Sequence, residues 1–232
     1  MKATIFSHKD IIGTTDLEVG DFSMGGLFGN FYPNEIYFDK VQKYVWKFWA
    51  SPKVNYEEWN SLNFNVQLEN GMFLMPVGGI TFDDIEELKS EPKRIDLAGI
   101  DTKIIEDYLI TVPARPFIEE PWEAISIGEK LAFEIELSKE TNTSGSYLNI
   151  FNPKRGKHIL SEVAASAFCK DSTADNILFE IHSKVLEQRF ALVHLTWSGK
   201  SESAKFPQTE LFADFDEFKH CRMYPDKTEW ER

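Results

Sequence analysis

Cysteine is scarce in this chain, with Cys169 and Cys221 the only two among 232 residues. They allow one disulfide at most, too few for a secreted scaffold that depends on bridges, and they fit a reducing cytoplasm. Apolar runs are short: no stretch of 18 apolar residues occurs, which excludes a membrane-spanning helix. The segment Met1–Asp10 lacks the apolar core of a secretory signal, so a cytoplasmic location is expected. The sequon Asn142-Thr143-Ser144 is accordingly read as part of a Ser/Thr-rich turn. Basic side chains are outnumbered, 25 against 38 acidic ones, for a net charge of −13. A field of that sign repels phosphate backbones and anionic membranes, so direct binding to either is not expected.

The motifs of common chemistries are missing as well. There is no G-x-x-x-x-G-K-[ST] phosphate loop, no H-E-x-x-H zinc pair, no Cys-x-x-Cys and no G-x-S-x-G elbow. Gly25-Gly26-Leu27-Phe28-Gly29 has the wrong spacing for a dinucleotide loop, and Pro33 follows where a phosphate-binding helix would open. It reads as a tight turn. The five histidines are His8, His158, His182, His194 and His220. His182 and His194 fall on consecutive strands and could meet near Glu180, but His194, between Val193 and Leu195, reads as a core residue, as does Trp197. The adjacent acids Glu57/Glu58, Asp83/Asp84, Glu86/Glu87 and Glu119/Glu120 diverge on an exposed face, whereas glycosidic chemistry needs two carboxyls that converge. No catalytic residue, metal site or cofactor is expected.

What the chain does have is apolar and aromatic material, 42% and 14% with 19 Phe and 6 Trp, enough for a buried core. Leu62, Phe64, Val66 and Leu68 alternate with polar residues. Asn70-Gly71 then predicts a type I′ turn, with Met72–Met75 as the returning strand. Phe38, Val41, Val45 and Phe48 form one stripe of a helix opened by Pro33-Asn34 and closed at Ser51-Pro52. Thr81–Asp84 reads as the cap and acidic first turn of a further helix, ended by Pro92. A strand at Arg94–Ala98 and a short helix capped by Asp101 follow.

Thr111–Trp122 holds Pro113, Pro116 and Pro121 and reads as a linker, giving subdomains 1–115 and 116–232. Their net charges are −7 and −6. In the second, Leu131, Phe133, Ile135 and Leu137 alternate as a strand, followed by turn residues at Thr141–Gly145. His158–Phe168 favours helix through its alanines. Ile177–Ile181 and Phe190–Trp197 read as strands, and a helix opening between Thr209 and Asp214 turns Phe215 and Phe218 inward. The expected class is α+β, mostly antiparallel sheets with flanking helices in two subdomains.

One stretch carries a resemblance. Ala191-Leu192-Val193-His194-Leu195-Thr196-Trp197-Ser198-Gly199-Lys200 is followed by Phe206-Pro207-Gln208-Thr209-Glu210. Phe212, Asp214-Phe215, Glu217-Phe218, Arg222-Met223 and Asp226 complete it. Over residues 188–227 this resembles the C-terminal pattern of a loose group of small bacterial proteins. Some of them are similar to immunity proteins encoded beside polymorphic or contact-dependent toxins. The resemblance implies a protein that binds a cognate toxin, a nuclease being one candidate, and occludes its active site. A basic toxin cleft would suit an acidic inhibitor. The partner-binding candidates are Asp83, Asp84, Glu86 and Glu87, with Asp214, Asp216 and Glu217 as a second face. The alternatives are an interaction or scaffold protein with another partner, and a hydrolase or metal enzyme using His182, His194 or the acidic pairs.

Overall fold

A computed structural model describes residues 1–110, 117–141, 158–161, 163–200 and 206–232. The chain divides into two compact units, Met1–Phe117 and Ile118–Arg232, and the division falls within the proline-rich segment. Both are built on antiparallel sheets with helices, so the class is α+β.

The first unit contains β1 (Lys2–Ser7), β2 (Asp10–Asp16), β3 (Glu18–Val19) and β4 (Leu27–Pro33), then α1 (Gln42–Ala50) and α2 (Tyr56–Ser61). After these come β5 (Phe64–Leu68), β6 (Phe73–Leu74), β7 (Gly79–Asp83), β8 (Lys93–Ala98) and α3 (Thr102–Ile105). The sheet order is β6-β5-β1-β2-β4-β8-β7, with β3 paired to β4. Aromatic rings fill the space between the sheet and the helices. Phe82 lies 4.9 Å from Phe31 and 5.0 Å from Phe64, and Phe48 lies 4.4 Å from Trp59. Such tilted and edge-on pairs add to the area they bury.

Several local expectations need correction here. The hairpin between β5 and β6 forms, but not with a type I′ turn. Leu68 N–H donates to Met72 O, Gly71 N–H donates to Leu68 O, and only Gly71 has positive φ, at 93°. That is a three-residue loop closed by a left-handed glycine. The helix opened by Asn34 exists, but its first turn is a π-turn, Tyr37–Val41. The wider turn rotates Tyr37 into the core beside Val41 and Val45 and leaves Phe38 48% exposed. The Thr81 helix does not form. Ile80 and Phe82 alternate inward on β7, and only Glu86–Leu88 makes a single 3₁₀ turn. The glycine-rich segment is a turn. Gly25 closes a 3₁₀ turn at φ 60°, and a Cβ there would sit 2.1 Å from Ile100 O.

The second unit begins with β9 (Trp122–Ala124) and α4 (Ile127–Thr141). It continues with β10 (Ala164–Asp171), β11 (Asn176–His182), β12 (Phe190–His194) and β13 (Gln208–Phe212). It ends with α5 (Phe215–Phe218), a π-turn at Lys219–Met223 and α6 (Tyr224–Trp230). The strand order is β13-β12-β11-β10-β9. Phe215 and Phe218 are buried, as the sequence predicts, against Phe168, Phe190, Phe212 and Trp122.

Two elements differ from expectation. Residues 131–137 lie in α4, not in a strand. Lys130, Phe133, Glu136, Leu137, Glu140 and Thr141 are the buried positions, a helical repeat partly written in polar residues, while Ile135 is 56% exposed. The segment from Ala164 is strand β10 rather than helix. A bulge between Ala167 and Cys169 buries Ala167, Phe168 and Cys169 in succession and hides the alternation. Residues 142–145 of the expected turn, with the sequon, lie outside the described residues.

Candidate functional site

Asp83 and Asp84, neighbours in sequence, part company at the end of β7. Asp83 is exposed, whereas Asp84 is 3% exposed and its carboxylate sits in a cage of donors. Tyr37 Oη donates to it at 2.7 Å, Gln42 Nε2 at 3.0 Å and Trp46 Nε1 at 3.1 Å, and Lys93 Nζ lies 3.3 Å away. Burial alone would raise this carboxyl's pKa. The Tyr37, Trp46 and Gln42 hydrogen bonds and the Lys93 charge outweigh burial, so it lies below the usual carboxylate range. Its own burial, and then the same contact, push the Tyr37 phenol up. Asp84 is therefore no part of an exposed acidic face. It ties α1 and the π-turn to the edge of the sheet.

That tie fixes the segment from which the other acids project. Glu86, Glu87 and Glu91 are exposed and their carboxylates form no hydrogen bond or ion pair among the described residues, and Leu88 beside them is 55% exposed. Within the segment only Lys89 offsets these charges, and the flanking cations of β8 are already engaged. Lys93 is held by Asp84 and the Lys89 carbonyl, and Arg94 pairs with Asp96 at 2.6 Å over the Phe28 ring.

The second expected face is committed to its own helix. Asp214 accepts from Glu217 N–H at 2.9 Å as the N-cap of α5, Glu217 accepts from Ala213 N–H, and Asp216 pairs with Lys219.

Sequence reasoning missed the acids that do converge. Glu136 and Glu140 stand one turn apart on α4, 5% and 1% exposed. Glu140 accepts from Thr196 N–H at 2.9 Å and from the Thr196 hydroxyl at 2.9 Å, and Glu136 accepts from Gly199 N–H at 2.7 Å. Burial opposes ionisation of Glu136, but the Gly199 amide and Lys139 more than offset it. Between these anchors Trp197 adopts φ 55°, is 47% exposed and donates to Asp175 at 3.0 Å. The expectation of a core Trp197 is thus corrected: β12 ends at His194 and the turn points outward. The signal for this arrangement was Ser126-x-x-Glu129. Ser126 Oγ accepts from Glu129 N–H, and Glu129 Oε2 accepts from Ser126 N–H at 2.8 Å. That capping box announces α4 and so puts Glu136 and Glu140 on one face.

Lys130 Nζ lies 2.8 Å from Ser166 Oγ, the outline of a serine–lysine pair. Glu134 also accepts from Lys130, so the Nζ donates to both side chains rather than drawing a proton from the serine. His182 and His194 do not meet. Asn176 pairs with His194, which sets His182 at the far end of β11, roughly 20 Å away at the rise of a strand. His194 is exposed and contacts Asn176 Oδ1 at 3.0 Å, so it is not a core residue either. His158 is the buried histidine. Leu160 N–H donates to its Nδ1, Pro207 O lies 3.0 Å from Nε2, and burial pushes its pKa down. Burial likewise pushes the Cys169 thiol up, away from the thiolate a nucleophile needs. Among the described residues, no three His, Cys, Asp or Glu side chains are grouped to hold a metal ion. No helix among them is long and apolar enough to cross a membrane.

Fold and site together define a two-unit α+β protein whose buried acids fasten helices to strand ends. No family model, curated protein or solved structure matches the chain.

Proposed function

We propose that this protein acts by binding a basic protein toxin in the bacterial cytoplasm and covering its active site, in the manner of an immunity protein. The observation that carries this reading is the segment after Asp84. Glu86, Glu87 and Glu91 outnumber the single Lys89 among them beside an exposed Leu88, on a backbone fixed by four donors to one buried carboxylate. A fixed array of like charge costs little further ordering on binding, and it steers an oppositely charged partner to its target. An apolar residue within a charged rim is the usual layout of a protein-binding patch. Asp83 extends the same edge. The net charge of −13 and the immunity-like pattern of residues 188–227 point the same way.

The test is co-expression with the product of the adjacent gene. A stable complex, together with protection of cells from that product, supports the reading. Toxicity that persists at full expression, with no complex on size exclusion, contradicts it.

A further inference from the structure

We propose a second binding site, independent of the acidic segment, that takes a small zwitterion with an apolar body, such as a free aliphatic amino acid. It is an open pocket of about 180 Å³ in the first unit, between the β1–β2 turn and the π-turn that precedes α1. An engineered cavity of about 150 Å³ holds benzene, so this one has room for a single molecule of that order. Its rim carries both signs of charge: Lys40 Nζ and Asp10 Oδ2 lie 2.7 Å apart, 63% and 47% exposed, with His8 beside them. Its floor is apolar, from Ile36, Val41 and Leu62.

Three unusual backbone features converge on this place. His8 holds φ 54° at the first central position of a two-residue hairpin turn, where glycine is the ordinary choice. Asn63 holds φ 45°, and His8 N–H donates to Asn63 O at 3.1 Å, so the two left-handed residues brace each other. Lys40 is carried by a π-turn rather than an α-turn. Such features cost free energy and cluster where a site needs them.

The ligand class follows from the rim. An exposed ion pair is worth little, so parting Lys40 from Asp10 costs little. A zwitterion replaces each half of that pair, its carboxylate meeting Lys40 and its ammonium meeting Asp10. Both new contacts are charge-assisted, and the body then covers Ile36 and Leu62. An anion or a cation alone would leave one rim charge without its partner.

The experiment is an NMR titration of the full chain with L-leucine, 4-methylpentanoate, which lacks the amine, and 3-methylbutylamine, which lacks the carboxylate. The expected result is saturable shifts at His8, Ile36, Val41 and Leu62 with leucine, and binding about two- to five-fold weaker for each analogue, the worth of one exposed ion pair. Asp10→Asn and Lys40→Met should each weaken leucine by a similar factor while melting as wild type does, because the pair is exposed. No saturable shift with leucine up to about 10 mM, a Kd in the weakest useful range, overturns the proposal. So does equal binding by either analogue, or unchanged affinity in both variants.

Discussion

The two units bury acids by different means. In the first, Asp84 gathers donors from side chains: a phenol, an amide, an indole and an ammonium. In the second, Glu136 and Glu140 reach chiefly for backbone amides of the turn after β12, with the Thr196 hydroxyl and, at Glu136, the half-exposed Lys139 ammonium added. A side-chain cage needs particular residues at four places, whereas backbone amides are offered by any sequence that makes the turn. The outcome is the same, a helix fastened to the end of a strand. The comparison also separates charge count from surface charge. Asp84, Glu136, Glu140 and Glu180 all contribute to the −13, yet each is 5% exposed or less. The acidity that a partner meets is that of residues such as Glu86 and Glu87.

The sharpest way to break the comparison is to remove one acid from each unit. Asp84→Ala leaves the Lys93 ammonium buried without its counter-charge and should cost about 3–5 kcal/mol, read by chemical denaturation. Glu140→Ala strands the Thr196 amide and hydroxyl and should cost about 2–3 kcal/mol. A loss from Glu140→Ala as large as that from Asp84→Ala would mean that backbone partners are no cheaper to strand than a charged one.

Acid should weaken both anchors together. Asp84 and Glu136 have pKa values lower in the folded chain than in the unfolded one, so their contribution is complete above about pH 4.5. It fades as pH falls through the folded values. Melting temperature should ease down below about pH 6.5, where His158 protonates in the unfolded chain first, and fall more steeply below about pH 4, where Asp84→Asn should flatten the decline. A wild-type curve that stays level to about pH 2 would show that neither carboxylate contributes in ionised form.

Outside the anchors, Gly71→Val forces a β-branched residue to φ 93° and should cost about 1–2 kcal/mol by thermal melting, whichever turn type closes the hairpin.

Part of the first unit was legible where a pattern is clean, but β1 to β4 were not read as strands and β7 was read as a helix cap. The β5–β6 hairpin, the β8 strand and the helix capped by Asp101 were all placed from such patterns. The inward turn of Tyr37 was not, since a π-turn changes the phase of a helix without changing its composition. In the second unit α4 was misread because its buried face is half polar. Lys130, Glu136 and Glu140 broke the helical repeat, while Phe133, Ile135 and Leu137 imitated a strand. The Ser126–Glu129 capping box was the counter-signal. The acidic edge was legible as composition but not as geometry, because nothing in Asp83-Asp84 says which of the two faces inward.

The smallest expected change in stability belongs to the residues with the largest proposed role. Asp83→Lys with Glu87→Lys alters only exposed groups and should shift stability by no more than about 0.5 kcal/mol. The most direct test of the account is the association rate of this double variant with the product of the adjacent gene, beside wild type, at low and high salt. Association should be at least about ten-fold slower for the variant at low salt, with the difference shrinking as salt screens it. Equal rates for the two proteins at low salt would contradict it.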